Sequence, residues 1–205
     1  LKWVEEKSLY YQQKFAKAGV SAKDVQSLED IRRLPFLTAN ELFQVDSLDL
    51  LTMPLSGIMR FSVVQQENGE VTKFYTNGDV AKNVEMMTRC MVATGINQTS
   101  VVAVQGDMSD SRLMDIQYAL EMLGATVVTM GTDYRQWLRF MELISMDTIV
   151  STPQLIMQLI IQLQATGKNI ADYPLNRVIC LNPQGLTNAM QRHIADRTHA
   201  TVYNL

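Results

Sequence analysis

The sequence has few of the features that would declare a chemistry. Only two cysteines occur in 205 residues, Cys90 and Cys180, and their separation fits no metal-binding spacing. They read as thiols kept reduced, which points to a cytoplasmic protein without disulfides. Two histidines, His193 and His199, stand six residues apart across a helix end, which is not ligand geometry, so no metal site is expected. No basic block is present and the formal net charge is −3, which argues against nucleic acid as a partner. The most apolar run, Leu155–Leu163, is interrupted by Gln158 and Gln162. A membrane span needs about 20 apolar residues, so no membrane partner is expected. No charged-then-apolar leader pattern opens the chain. Neither GxGxxG nor GxxxxGK[ST] occurs, and no serine sits in a nucleophile elbow.

What is present is a well-supplied core. Apolar residues make up 47% of the chain, enough for one large domain or two small ones. Trp3, Val4, Tyr10, Tyr11, Phe15 and Ala18 recur at helical spacing and Gly19 follows as a stop, which predicts helix through Ala18. Ser27 with Asp30, and Thr38 with Glu41, are starts for two short helices. Ile58–Val64 and Val71–Thr76 are β-rich, and Asn68-Gly69 between them is a hairpin-turn signal.

From Thr76 onward helices and strands alternate. Helices are predicted from Thr76 to about Thr94, Asp110–Leu123, Asp133–Ile144, Thr152 to about Thr166, and Thr187–Asp196. Strands are predicted over Ser100–Gln105, Ala125–Met130, Thr148–Ser151, Arg177–Leu181 and Ala200–Asn204. Their unbroken apolar character calls for cover on both faces. The expected fold is therefore α/β: a doubly wound, mostly parallel five-stranded sheet, preceded by an N-terminal helical segment and a β-hairpin. The expected division is residues 1–57 as the helical segment and 58–205 as the α/β domain. Met86, Met87, Met91, Met114 and Met122 lie at helix positions and read as core filler, as do Tyr118 and Trp137. The chain opens with Leu1 and closes on the strand-like Thr201–Leu205, so a fragment of a longer protein is expected.

In such a sheet, ligands bind outside the carboxyl ends of the strands. The candidate loops are Gly106–Asp110, Gly131–Asp133, Thr152-Pro153 and Asn182–Gly185, with whatever follows Leu205. On spacing alone these loops read equally as ordinary turns, since Asp110, Asp133 and Thr187 are also helix caps.

Several segments, in order, resemble one family. Phe15–Val20, Ser27–Thr38 with Glu41-Leu42, Leu123–Val127, Ser151–Pro153, Thr187–Met190 and Val202–Asn204 resemble the first half of phenylacetate–coenzyme A ligases, members of the adenylate-forming superfamily. The resemblance implies that the parent protein activates a carboxylate with ATP and Mg2+ to an acyl-AMP and transfers the acyl group to coenzyme A. It implies Gly69, Thr152, Gln184, Gly185, Tyr203 and Asn204 around the nucleotide. It implies Gly106, Asp107, Ser109, Gly131 and Thr132 along the acyl crevice. It names no catalytic residue within this chain, and it implies that the chain alone is inactive.

The departures are specific. Where the family's phosphate loop reads SSGTTGKP, this chain has Val64-Gln-Gln-Glu-Asn-Gly-Glu-Val71. Only Gly69 is kept, and Glu70 stands where a lysine would be. Two unit charges 4 Å apart interact by about 4 kcal/mol at an effective dielectric near 20. That is large against the ~8 kcal/mol of a micromolar ligand. In the adenine motif Gln184 replaces a glutamate, so an acceptor becomes an amide that also donates. A non-catalytic relative, kept as a binding or assembly module, is therefore the competing reading. An unrelated Rossmann-like nucleotide enzyme is a third, weakened by the missing glycine fingerprint. The particular carboxylate and the oligomeric state, a homo-oligomer included, stay open.

Overall fold

The computed structural model describes residues 1–66, 69–107, 109–131, 133–181 and 186–205. The chain divides into two compact units, Leu1–Val80 and Ala81–Leu205.

In the first unit, α1 (Lys2–Lys7) and α2 (Leu9–Ala18) replace the single helix predicted through Ala18. The break is at Ser8, which is extended and fully buried. Its hydroxyl donates to the carbonyl of Asp49 at 2.7 Å, a long-range bond that local periodicity does not foresee. Gly19 closes α2 in the left-handed conformation, φ +65°. Ser27 and Asp30 join as expected, with the Ser27 hydroxyl donating at 2.8 Å, but the helix they start is a 3₁₀ turn, Glu29–Arg33. Thr38 and Glu41 form a reciprocal capping box on α3 (Ala39–Gln44). The β-rich runs pair antiparallel as β1 (Arg60–Gln66) and β2 (Gly69–Tyr75), with Gln65 opposite Glu70 and Gln66 opposite Gly69. Of the predicted turn pair, Asn68 lies outside the described residues.

Helix α4 (Asn77–Ala93) starts on a Thr76–Asp79 box and leads into the second unit. There β3 (Val101–Gln105), α5 (Ser111–Met122), β4 (Thr126–Met130), α6 (Tyr134–Leu143), β5 (Thr148–Ser151), α7 (Pro153–Ala165), β6 (Arg177–Cys180), α8 (Asn188–Thr198) and β7 (Thr201–Asn204) alternate as predicted. The five strands are parallel, in the order β4-β3-β5-β6-β7.

Strand alternation builds two cores. Val102, Val104, Val150 and Ile179 face Met91 of α4 and Leu113, Ile116 and Leu120 of α5. Ala103, Val128, Ile149, Val178 and Cys180 face Trp137 of α6, Ile156, Leu159 and Leu163 of α7, and Ile194 of α8. Each fully buried aliphatic or aromatic side chain contributes about 1.5–3 kcal/mol of transfer free energy, so both layers are needed to hold the sheet.

Three expected core residues are exposed instead: Tyr118 at 42%, Met86 at 53% and Met122 at 71%. The inward stripe of α5 runs through Leu113, Ile116 and Leu120. Tyr118, two residues beyond Ile116, points about 200° away from it. In α4 the inward stripe is Val84, Met87 and Met91, and Met86 falls outside it. Trp137 and Met91 are fully buried, as predicted.

Candidate functional site

The strand order reverses between β3 and β5. The chain leaves β3 toward β4 on one side and returns to β5 on the other. The carboxyl ends of these two strands flank the topological switch point, where sheets of this kind open a crevice. The strands end on polar side chains there. Ser151 Oγ donates to Gln105 Oε1 at 2.9 Å, with both residues buried (0% and 3% exposed). Neighbouring backbone closes the edge: Leu181 N donates to Ser151 O at 2.9 Å and Leu205 N to Cys180 O at 3.0 Å.

Gly106 follows Gln105 and is buried. A Cβ at this position would lie 2.5 Å from Leu113 Cδ1, so any side chain here would require the Leu113 side chain to shift. Asp107 and Ser109 are exposed beyond it. The Ser109 amide donates to Asp107 Oδ1 at 2.9 Å, and the Ser109 amide and hydroxyl hold the Asp107 carboxyl below the usual carboxylate range. Asp110 caps α5 by accepting from the Arg112 amide at 3.0 Å, and it also pairs with the Arg112 guanidinium. Burial alone would raise its carboxyl. The bonds from Arg112 outweigh burial and lower it, and the guanidinium is raised in turn, chiefly by its bond to Asp110.

Gly131 is exposed at the end of β4, and Asp133 caps α6 by accepting from the Arg135 amide at 3.0 Å. Thr152 caps α7, its Oγ1 accepting from Leu155 N at 3.3 Å, with Pro153 in the first turn. Gly106, Asp107, Ser109, Gly131 and Thr152 therefore follow the carboxyl ends of β3, β4 and β5, as the sequence predicted, and Tyr203 and Asn204 are the last residues of β7. Tyr203 and Asn204 point to opposite faces. Tyr203 is in register with Ile179 and packs with the α4/α5 core, whereas Asn204 is in register with Cys180 and exposed. Thr132, Gln184 and Gly185 lie outside the described residues, as do Asn182 and Pro183.

Gly69 belongs to the other unit. A Cβ there would lie 2.9 Å from the Phe43 ring, so packing against α3 by itself requires a glycine. Glu70 is exposed and accepts from Gln65 Nε2 at 3.1 Å. The strands of the hairpin are paired up to Gln66 opposite Gly69.

Sequence reasoning missed the Gln105–Ser151 pair. The available signal was a polar residue closing each of two apolar strands, VVAVQ and TIVS. It also missed the Trp137 indole nitrogen, which is buried without a hydrogen-bond partner among the described residues. Among the described residues no three His, Cys, Asp or Glu side chains cluster as a metal site, and no helix is long and apolar enough to cross a membrane.

No family model matches the chain. Two curated relatives do. The phenylacetate-coenzyme A ligase of Escherichia coli K12 is 26% identical over 208 residues, covering 100% of this chain and 48% of that protein. The phenylacetate-coenzyme A ligase of Pseudomonas putida is 25% identical, covering 91% of this chain and 43% of that protein. The chain thus spans about half the length of these relatives. Among solved structures, 2-hydroxyisobutyryl-CoA ligase in complex with 2-HIB-AMP and CoA superposes with a TM-score of 0.79 at 18% identity, over 98% of this chain and 46% of that one. A long-chain-fatty-acid-CoA ligase from Archaeoglobus fulgidus gives 0.58 at 14% identity, over 72% of this chain and 31% of that one. Along its whole length the chain is thus similar in sequence to the N-terminal portion of phenylacetate-coenzyme A ligases, and it shares the fold of the corresponding portion of solved acyl-CoA ligases.

Proposed function

We propose that this chain supplies the ligand crevice of a carboxylate–coenzyme A ligase. The whole protein would activate a carboxylate with ATP as its acyl-adenylate, releasing pyrophosphate, and pass the acyl group to the thiol of coenzyme A. The observation that carries this reading is the switch point between β3 and β5, with polar strand ends gathered on one edge of a parallel sheet. On this reading Thr152, Gln184, Gly185, Tyr203 and Asn204 lie around the adenosine. Tyr203 would flank it from the α4/α5 side and Asn204 from the other. Gly106, Asp107, Ser109, Gly131 and Thr132 would face the acyl group. The division at 57/58 and a cytoplasmic location belong to the same proposal.

The hairpin does not fit a triphosphate. Its ladder is closed through Gln65 and Glu70, and Glu70 adds an anion where a polyanion would need a cation. We assign no phosphate or magnesium contact to it, and the 205 residues alone are not expected to turn over. The test is exchange of radiolabelled pyrophosphate into ATP by the full-length protein across a panel of carboxylates. Acid-dependent exchange supports the ligase, and none from a folded full-length protein overturns it.

The same hairpin favours a second reading, a non-catalytic relative that retains the scaffold as a binding or assembly module. Calorimetry of Mg-ATP against the full-length protein separates the two, since a micromolar Kd contradicts the non-catalytic reading.

A further inference from the structure

The first unit holds a cavity of about 360 Å³, with Leu48, Leu51, Met53, Pro54 and Leu55 as its apolar wall. Ligand pockets span about 300–1,000 Å³, so this one has room for a small organic molecule. Three of its wall side chains stay in contact with solvent: Leu55 at 57%, Leu48 at 50% and Met53 at 37%. An apolar group laid against them would remove that surface from water, which is favourable.

The walls are fixed in advance. Ser8, next to Lys7, donates its hydroxyl to the Asp49 carbonyl at 2.7 Å, which ties the break between α1 and α2 to the 3₁₀ turn Ser47–Leu50 that carries Leu48. Asp46 caps that turn by accepting from the Leu48 amide at 2.9 Å, and Leu51 N closes it on Leu48 O at 3.1 Å. A second 3₁₀ turn, Leu55–Gly57, closes on Pro54, whose carbonyl accepts from Gly57 N at 2.9 Å. A ligand would therefore have little ordering to impose, which lowers the cost of binding.

Two polar side chains interrupt the apolar wall, Lys7 and Thr52, and Lys7 is the single charged residue lining the cavity among the described residues. Its ammonium lies 5.9 Å from the centroid of the Trp3 ring, and no carboxylate pairs with it among the described residues. The acids beside it in sequence are engaged elsewhere: Glu6 pairs with Lys2 at 3.8 Å, and Glu5 accepts from the Ala22 amide at 3.2 Å. Thr52 adds a hydroxyl, which donates or accepts. A cation and a hydroxyl set in an apolar wall complement an oxyanion on an apolar body. A neutral hydrocarbon would leave the ammonium without a counter-charge, and a compact inorganic anion would leave the leucines in water.

We propose that this cavity binds a small monocarboxylate with an apolar body, its carboxylate on Lys7 and Thr52 and its body against Leu48, Leu51, Met53 and Leu55. The site is made by the first unit alone, and it stands whether or not the chain serves a ligase.

The test uses the full-length protein labelled at leucine and methionine methyl groups. It is titrated with hexanoate and with hexanol, which share a hexyl-length body and differ in charge. The methyl signals of Leu48, Leu51, Met53 and Leu55 should shift together on one saturation curve. Hexanoate should bind about three- to fivefold tighter than hexanol, the scale of one solvent-exposed ion pair. Raising the ionic strength to about 1 M, where the screening length falls to about 3 Å, should erase the difference. Lys7 is exposed at the end of α1, so Lys7→Gln leaves the packing intact. It should bring hexanoate to the affinity of hexanol and leave hexanol unchanged, whereas Thr52→Val should weaken hexanoate alone. Equal affinities for acid and alcohol in the unsubstituted protein, or a preference that survives Lys7→Gln, overturn the inference. Shifts confined to the methyl groups of Leu113 and Met130, beside the strand ends, would support the crevice of the ligase reading and overturn this site.

Discussion

Arg177 reaches from the start of β6 to Asp147, just ahead of β5, with Nη1 donating to Oδ1 at 3.1 Å. The other guanidinium nitrogens are also engaged, Nε with the Thr94 carbonyl at 2.8 Å and Nη2 with the Gly95 carbonyl at 3.0 Å. Asp147 Oδ2 in turn accepts from the Val101 amide at 2.7 Å. One fork thus ties the loop before β3 to β5 and β6 at the amino edge of the sheet, opposite the crevice.

Arg177→Ala is predicted to destabilise the chain by about 2–3 kcal/mol, because charged hydrogen bonds at a half-buried site are lost together. Arg177→Lys should recover only part of this, since an ammonium lacks the planar fork. Urea denaturation with an unchanged m-value is the measurement, and ligand binding at the opposite edge should not change.

Glu41 gives a pH prediction. The Lys14 ammonium, 2.7 Å from Glu41 Oε1, and the Thr38 amide and hydroxyl pull the Glu41 carboxyl down to about 2 from its ordinary 4.5. A carboxyl lowered in the folded state stabilises fully above its unfolded value, and that contribution is lost as pH falls from about 4.5 toward about 2. Glu41→Gln should therefore flatten the acid limb of stability in this window. The check is the thermal midpoint against pH for both proteins. Lys14 is affected in the opposite sense: burial lowers its ammonium, but the bonds to Glu41 and Tyr10 raise it overall. Its contribution is present below 10.5 and fades as pH rises past the raised value.

Gly69→Ala should destabilise the hairpin unit by about 1–3 kcal/mol through the clash with Phe43. Nucleotide affinity should stay the same, because the glycine answers to Phe43 and not to phosphate. Paired measurements of unfolding and calorimetric Mg-ATP binding on the full-length protein separate these effects. A loss of affinity without a loss of stability would restore the phosphate role.

The two thiols should differ in reactivity. Burial pushes the Cys180 thiol up to about 11 and leaves the residue 0% exposed, whereas Cys90 is only half-buried. Nucleophilic attack needs the thiolate and access. In native protein near pH 8, a disulfide reagent should titrate Cys90 first, with Cys180 reacting only on unfolding.

The alternation of apolar strands with capped helices was legible because each element announces itself locally. Thr38, Asp110, Asp133, Thr152 and Thr187 all cap where their residue types predict. What local pattern does not carry is which side of a helix meets the sheet. Tyr118 and Met122 therefore read as core although the stripe through Ile116 turns them outward. Ser8 breaks the first helix for a partner 41 residues away, which no window of sequence reveals. That Gly106, Gly131 and Thr152 follow strand ends was legible, since each comes directly after a short apolar run. The Gln105–Ser151 bond was not, because it joins residues 46 apart through the crossover that places β5 beside β3.

The most direct test of the account is a titration of the chain with an unreactive acyl-adenylate mimic, an acylsulfamoyl adenosine, followed through backbone amide signals. The amides of Gly106, Thr152, Tyr203 and Asn204 should shift with one common saturation curve, while those of Gly69 and Glu70 stay still. A response confined to Gly69 and Glu70, with the strand ends silent, would contradict it.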